Sequence, residues 1–338
     1  MSAGVSVARA LAGSWRDPPP TAGPDAARIA EVEEQLIRSG GGGLVWWRIR
    51  ADPALSDSPI GKRFHEAFKL NTVYASMHRD QVSRVLKGLR DSGLEPILFK
   101  GWDCARTYPH EGMRPYGDID LCLLPQDVEK ARSTLAGSPD ESAVDLEHDE
   151  IEAAWIPGIV ERSESVPLGD TAVRVMGPED RLRTLALHAL KGEVWGPRSL
   201  CDVALAVESR PDEFDWGVCL TDDPVVHDWV LTAISLAGKL LGADLGGVPA
   251  KTPPRWMVRR TLGMWSAPWP AKHGVELAPL PNARHPLVLL SAMAERWPGP
   301  VQATVSGRAR FGNAPRLPLQ LLDVLRRTLD YMARRATR

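Results

Sequence analysis

The chain has 338 residues, 43% of them hydrophobic and 25% charged, with a formal net charge of −2. This composition supports a substantial core in two domains, or in one enlarged domain, and the near-neutral charge argues against a dominant electrostatic nucleic-acid surface. Cys104, Cys122, Cys201 and Cys219 show no C-x-x-C spacing, which argues against a zinc knuckle or a dithiol site, and no run approaches a membrane span or a secretion signal. A cytoplasmic protein with reduced thiols and no membrane partner is expected.

In chain order, the first two dozen residues read as mobile, with Asp17-Pro-Pro-Pro20 as a break. A short amphipathic helix is expected from Ala26 to Ser39, ended by the glycines at 40 to 43. Val45-Trp-Trp-Arg-Ile49 reads as a strand or packing segment, its tryptophans serving core contacts rather than base stacking. Apolar residues at three- and four-residue steps from Phe64 to Leu89 predict a long helix over 60 to 89, with one interruption allowed, leading through Gly93 into a sheet. The next elements read as strand 95 to 99, helix 102 to 108, strand 118 to 124, helix 126 to 136 and strand 142 to 148. Strands at 151 to 156 and 171 to 176 complete a small mixed sheet with helices on one face. From Pro178 the periodicity is helical: Leu182, Leu185, Ala186 and Ala189 form one stripe, with Thr184, His188 and Lys191 on the other side. Leu200, Val203, Ala204 and Val207 form the next, leaving Asp202 apart as a buried or cleft-facing carboxylate with an arginine partner, or as a salt-bridged structural residue. Lys251-Thr-Pro-Pro254 reads as a linker, and Leu317 to Met332 as a terminal amphipathic helix within an arginine-rich end.

The residues that suggest chemistry lie between 98 and 121. Strand alternation puts Asp118 and Asp120 on one face and Ile119 on the other, and two such oxygen donors suit Mg²⁺. Lys100 and Gly101 stand between a strand and a short helix, where backbone amides and an ammonium group can meet phosphate. Arg114 offers a bidentate fork for phosphate oxygens, or else pairs with a surface carboxylate such as Glu111. Asp103 either caps the helix or repels a triphosphate. Farther on, Asp145 and Glu147 share a strand face and either can serve as a third carboxylate, with His148 at the strand end.

The ordered series Leu98-Phe-Lys-Gly101, Tyr108-Pro109 and Arg114-Pro-Tyr-Gly-Asp-Ile-Asp-Leu121 resembles the signature of uncharacterised bacterial nucleotidyltransferases in the polymerase-beta-like superfamily. Val144-Asp-Leu146, Gly177-Pro-Glu-Asp180, His188 with Lys191, and Arg198-Ser-Leu-Cys-Asp202 extend it over roughly residues 58 to 250. The resemblance implies an α+β fold: a small mixed-sheet nucleotidyltransferase core at 58–177, a mainly helical domain at 178–338, and an N-terminal extension at 1–57. It implies Asp118, Asp120 and, by family position, Asp145 as metal-binding and catalytic residues. Lys100, Gly101, Arg114, Gly117, His188 and Lys191 are the implied nucleotide-binding set.

The expected reaction is Mg²⁺-dependent transfer of a nucleoside monophosphate from a nucleoside triphosphate to an acceptor hydroxyl or phosphate, with Mn²⁺ as an alternative metal. A small metabolite, natural product or peptide is the expected acceptor. An RNA-directed, toxin-like transferase and a non-catalytic nucleotide-binding scaffold are the rival readings, and oligomeric state is not legible.

Overall fold

The computed structural model describes residues 2–21, 24–146, 158–249, 251–267 and 297–336. Contrary to the expected mobile start, Ala3–Leu11 is a helix (α1) whose Val7 and Leu11 are buried together with Trp15. The periodic signal there is short, but its apolar face meets a partner distant in sequence: the Gly4 amide donates to Ser266 Oγ at 2.7 Å. The helix expected over 26 to 39 divides at Val32 (φ −126°) into α2 (Ala26–Ala30), capped by Asp25, and α3 (Glu33–Arg38). The glycine run does more than end it. Gly40, at φ +78°, turns the chain, and the last two glycines begin α4 (Gly42–Ile49).

Helix α4 replaces the expected strand. Local propensity in Val45-Trp46-Trp47 favours extended backbone, yet burial of Leu44, Val45 and Ile49 follows a helical face, so tertiary packing decides. Gly43 permits this packing, because a Cβ there would strike the Gly112 carbonyl oxygen and lie 3.0 Å from Met113 Cα. The tryptophans do pack, as expected: Trp46 stacks on His65 and Trp47 donates to the Arg16 carbonyl.

After α5 (Pro53–Ser56), α6 runs uninterrupted over Pro59–Asp91, about 50 Å at 1.5 Å per residue. Ser58 accepts from Gly61 N and Pro59 occupies the first turn, both favourable helix starts. Phe64 packs into the helical core, whereas Val82, Val85, Leu86 and Leu89 pack on the sheet. One helix therefore braces both cores.

The sheet contains β1 (Ile97–Phe99), β2 (Ile119–Cys122), β3 (Val144–Leu146), β4 (Glu164–Leu168) and β5 (Thr171–Val175), in the order β3-β2-β1-β5-β4. It is mixed, with β1 antiparallel to β2 and parallel to β5, and β2 parallel to β3. Between the strands lie α7 (Gly101–Ala105), α8 (Val128–Leu135) and α9 (Ile159–Arg162). One face, carrying Leu98, Ile119, Leu121, Val173 and Val175, is covered by α6 and α8. Sequence reading missed β4 because Pro167 argues against a strand, and an edge strand tolerates proline. The strand expected at 151 to 156, Glu147 and His148 lie outside the described residues.

The remainder is helical: α10 (Pro178–Lys191), α11 (Pro197–Glu208), α12 (Trp216–Leu220), α13 (Pro224–Leu241), α14 (Arg255–Ser266), α15 (Pro300–Ser306) and α16 (Leu317–Ala336). The fold is α+β, with a mainly helical C-terminal region. Val7, Leu11, Trp15 and Leu44 share one core with Leu182, Leu200, Trp229 and Ile234, so the N-terminal helices pack as part of the helical framework. Among the described residues no helix is long and apolar enough to cross a membrane. All four cysteines are buried and free.

Candidate active site

Strand pairing assembles the carboxylates. Asp120 is the Cα partner of Phe99 on β1 and of Asp145 on parallel β3, so Asp120 and Asp145 rise from one sheet face on strands about 4.8 Å apart. Asp118 precedes β2 by one residue, two positions from Asp120. Ile119 and Leu121 point to the opposite, packed face and are 1% and 0% exposed, fixing the register. Asp118 and Asp145 are exposed, and the Asp120 carboxylate is largely enclosed.

The Lys-Gly turn abuts these groups. Lys100 has φ +53° and Gly101 φ +24°, and a Cβ on Gly101 would stand 2.9 Å from the Asp118 carbonyl oxygen. Glycine is thus required at 101 both by conformation and by close approach. A non-glycine residue at positive φ costs on the order of 1–3 kcal/mol. In return the buried Lys100 ammonium lies 3.6 Å from Asp120 Oδ1 and 4.7 Å from the centre of the Phe99 ring.

Arg114 is buried behind this turn. Its Nε and Nη2 donate to the two Asp202 carboxylate oxygens, each at 2.9 Å, and Nη1 donates to the Gly101 carbonyl at 3.1 Å. Tyr108 donates its hydroxyl to Asp202 Oδ1 at 2.8 Å. Burial opposes the Arg114 cation, but Asp202 more than offsets it and holds the proton above the ordinary arginine range. All three arms of the guanidinium are engaged in bracing the turn, and Glu111, the alternative partner, pairs with Arg79 at 3.0 Å. Asp202 is therefore the carboxylate with an arginine partner. Tyr116 moors the same loop to α6, donating to the Ala75 carbonyl at 3.1 Å.

Asp103 neither caps α7 nor faces the carboxylates. It is fully buried, accepting from Arg106 Nε at 2.9 Å and Arg181 Nε at 3.0 Å, and so ties α7 to α10. The helix expectation failed because an acidic residue in a first turn resembles a cap, whereas its true partner lies 78 positions away.

His188 is solvent-accessible in a crowded recess whose walls strip water from the ring and lower its pKa to about 4; Lys100, Arg114 and Arg198 add repulsion, opposed by Asp202. It is therefore neutral near pH 7 and shares a local field with Lys100. Lys191, one turn later on α10, is half-buried. Gly117 is exposed, and a Cβ there would meet only His78 Nε2 at 3.9 Å, so packing does not require glycine.

Among the described residues no three His, Cys, Asp or Glu side chains are gathered as a ready-made metal cage. The donor set nonetheless fits Mg²⁺, which takes one or two carboxylates plus substrate phosphates and water rather than a closed protein shell. Asp118 and Asp120, with Asp145 on the adjoining strand, offer such an open arrangement.

Residues 27–138 match the family model described as an uncharacterised nucleotidyltransferase. The match contains Lys100, Gly101, Arg114, Gly117, Asp118 and Asp120, and stops before Asp145, His188 and Lys191. No curated protein and no solved structure matches the chain.

Proposed function

We propose that this chain, carrying a nucleotidyltransferase-family domain, transfers a nucleoside monophosphate from a nucleoside triphosphate to an acceptor hydroxyl or phosphate of a small metabolite, natural product or peptide. The observation that carries the reading is the register placing Asp120 beside Asp145, with Asp118 two residues before it, against the Lys100-Gly101 turn. Asp118, Asp120 and Asp145 would hold Mg²⁺, or Mn²⁺ in its place. Bound there, the metal would neutralise triphosphate charge and acidify the acceptor hydroxyl.

The acceptor oxygen forms a bond to the α-phosphorus, the bond from that phosphorus to the bridging oxygen breaks, and pyrophosphate leaves with the bonding electrons. Asp145, exposed at the sheet edge, is positioned to orient the acceptor hydroxyl, whose proton passes to solvent water. Lys100 supplies a positive charge beside Asp120 and the phosphates, and neutral His188 with Lys191 lines the nucleotide cleft. Arg114 works one step back, holding Gly101 and hence the turn. Positioning and electrostatics supply most of the acceleration in phosphoryl-type transfers, so the reaction asks for few covalent participants from the protein.

RNA as acceptor gains no support from the arginine-rich end. Arg308 pairs with Asp223, Arg310 with Asp228, and Arg326 and Arg327 with Asp323. The scaffold reading loses one of its supports, because Asp103 is an internal ion-pair partner rather than a charge facing the site.

Calorimetry with each nucleoside triphosphate, with and without Mg²⁺, followed by pyrophosphate release in the presence of candidate acceptors, tests the proposal. The double variant Asp118→Asn, Asp120→Asn should lose Mg²⁺-dependent nucleotide binding and keep native circular dichroism. Unchanged metal-dependent affinity in that variant would sink the assignment.

A further inference from the structure

A groove of about 560 Å³ lies between the first half of α6 and the turn after α3. Its walls include Gly40, Arg63, Leu70 and Asn71, and Pro115 and Arg198 also line it. Pro115 is three residues from Asp118, at most about 10 Å along the backbone. His188 and Arg114 both feel the Arg198 charge, so this side of the groove adjoins the candidate active site.

The charges lining the groove are three arginines, Arg38, Arg63 and Arg198, and one exposed carboxylate, Glu66, and they are not equivalent. Arg63 pairs with Glu33 at 2.6 Å, and Arg38 with Glu34 at 3.5 Å. Among the described residues Arg198 has one hydrogen-bond partner, the Pro115 carbonyl at 2.8 Å, and no carboxylate within ion-pair distance. Asp202, one turn onward, is committed to Arg114 and Tyr108. Burial, and after it the nearby Arg114 charge, depress the Arg198 pKa, and the field of Asp202 offsets this only in part. Gly40 keeps space beside it: a Cβ there would fall 2.9 Å from Arg198 Nη1, at a φ of +78°.

The long helix supplies the other half of the recognition chemistry. Leu70 is 53% exposed, and Val73, Tyr74 and Met77 continue its face at 57%, 50% and 61%. Spacings of three and four residues make these an unbroken apolar stripe leading from the groove. An oxyanion beside Arg198 would gain a charge-assisted hydrogen bond, and an attached apolar body would cover the stripe.

We infer that this groove binds the acceptor, and that the acceptor is an amphiphilic anion whose carboxylate or phosphate meets Arg198 while its apolar portion lies along Leu70, Val73, Tyr74 and Met77. The acceptor role rests on the nucleotidyl-transfer reading; the anion site itself does not.

The probes are hexanoate, hexyl phosphate, hexanol and acetate, titrated into the full chain by NMR, with Mg²⁺ and nucleoside triphosphate titrated separately. Hexanoate or hexyl phosphate should bind at least tenfold more tightly than hexanol and than acetate, and the better of the two identifies the anionic group. Arg198→Gln should remove the advantage over hexanol, and Leu70→Glu, at an exposed site that tolerates polarity, should weaken both anions at least tenfold. Nucleotide affinity should stay within twofold in both variants. Equal binding of hexanol and the hexyl anions, or an equal loss of nucleotide and anion binding in Arg198→Gln, overturns the inference; the second result assigns Arg198 to the triphosphate. Wild-type protein that binds the hexyl anions but no nucleotide refutes the acceptor role and the transferase reading, leaving an anion site.

Discussion

Asp145 faces Asp120 across a parallel strand pair, so its removal takes a carboxylate from the acceptor side of the proposed site and leaves Asp118 and Asp120 in place. Asp145→Ala is expected to reduce kcat by roughly two orders of magnitude or more with little change in triphosphate affinity, as follows when an interaction is made mainly in the transition state. Pyrophosphate-release kinetics beside calorimetry check it; a dead Glu147→Ala with an active Asp145→Ala would reassign the third ligand. His188 gives a pH prediction. Its pKa falls from 6.5 to about 4 on folding, so between those values the unfolded chain binds the extra proton and the folded state loses stability as pH falls. Denaturant midpoints measured from pH 7 to pH 4 should decline more steeply in wild type than in His188→Gln. Strand alternation made the burial of Ile119 and Leu121 on the face opposite Asp120 legible in the sequence. The destinations of Arg114 and Asp103 were not, because each is decided by a partner on a distant helix: Asp202 for one, Arg181 for the other.

At the scale of elements, the Lys-Gly turn depends on a brace that local sequence does not contain. Arg114, Asp202 and Tyr108 form a buried network joining the loop before β2 to α11, with the Gly101 carbonyl as its outlet. Asp202→Ala leaves the Arg114 charge buried without its carboxylate, and about 3–5 kcal/mol of stability should disappear. Urea denaturation measures this, and a cost below about 1 kcal/mol would show that the pair does not brace the fold. The long helix was readable because its apolar residues keep helical spacing over many turns; the structure only removes the interruption allowed for it. Helix α4 was misread because tryptophan and valine suit extended backbone, while the deciding fact, the room Gly43 leaves for the Gly112 carbonyl, depends on a segment nearly seventy residues later.

Across the whole molecule, the helical core draws on both ends of the described chain. Trp15, 1% exposed, packs in that core and donates its indole N–H to Glu208 Oε2 at 2.9 Å, and Arg16 binds the same carboxylate. Trp15→Ala should cost about 3–5 kcal/mol, as for other large aromatic truncations, and thermal or urea unfolding will read the loss. A nearly silent substitution would mean that the first helix is an attachment rather than part of the core. Composition foretold a substantial core but not this closure, since periodicity reports which face is buried and never against what. The contact between Gly4 and Ser266 also sets a schedule for biosynthesis. Its partners are 262 positions apart, and at ribosomal rates of about 5–20 residues per second the first helix waits tens of seconds for its neighbour to be made. Throughout that interval Val7 and Leu11 lack their final cover, so the apolar face of the first helix stays open to solvent until residue 266 is made.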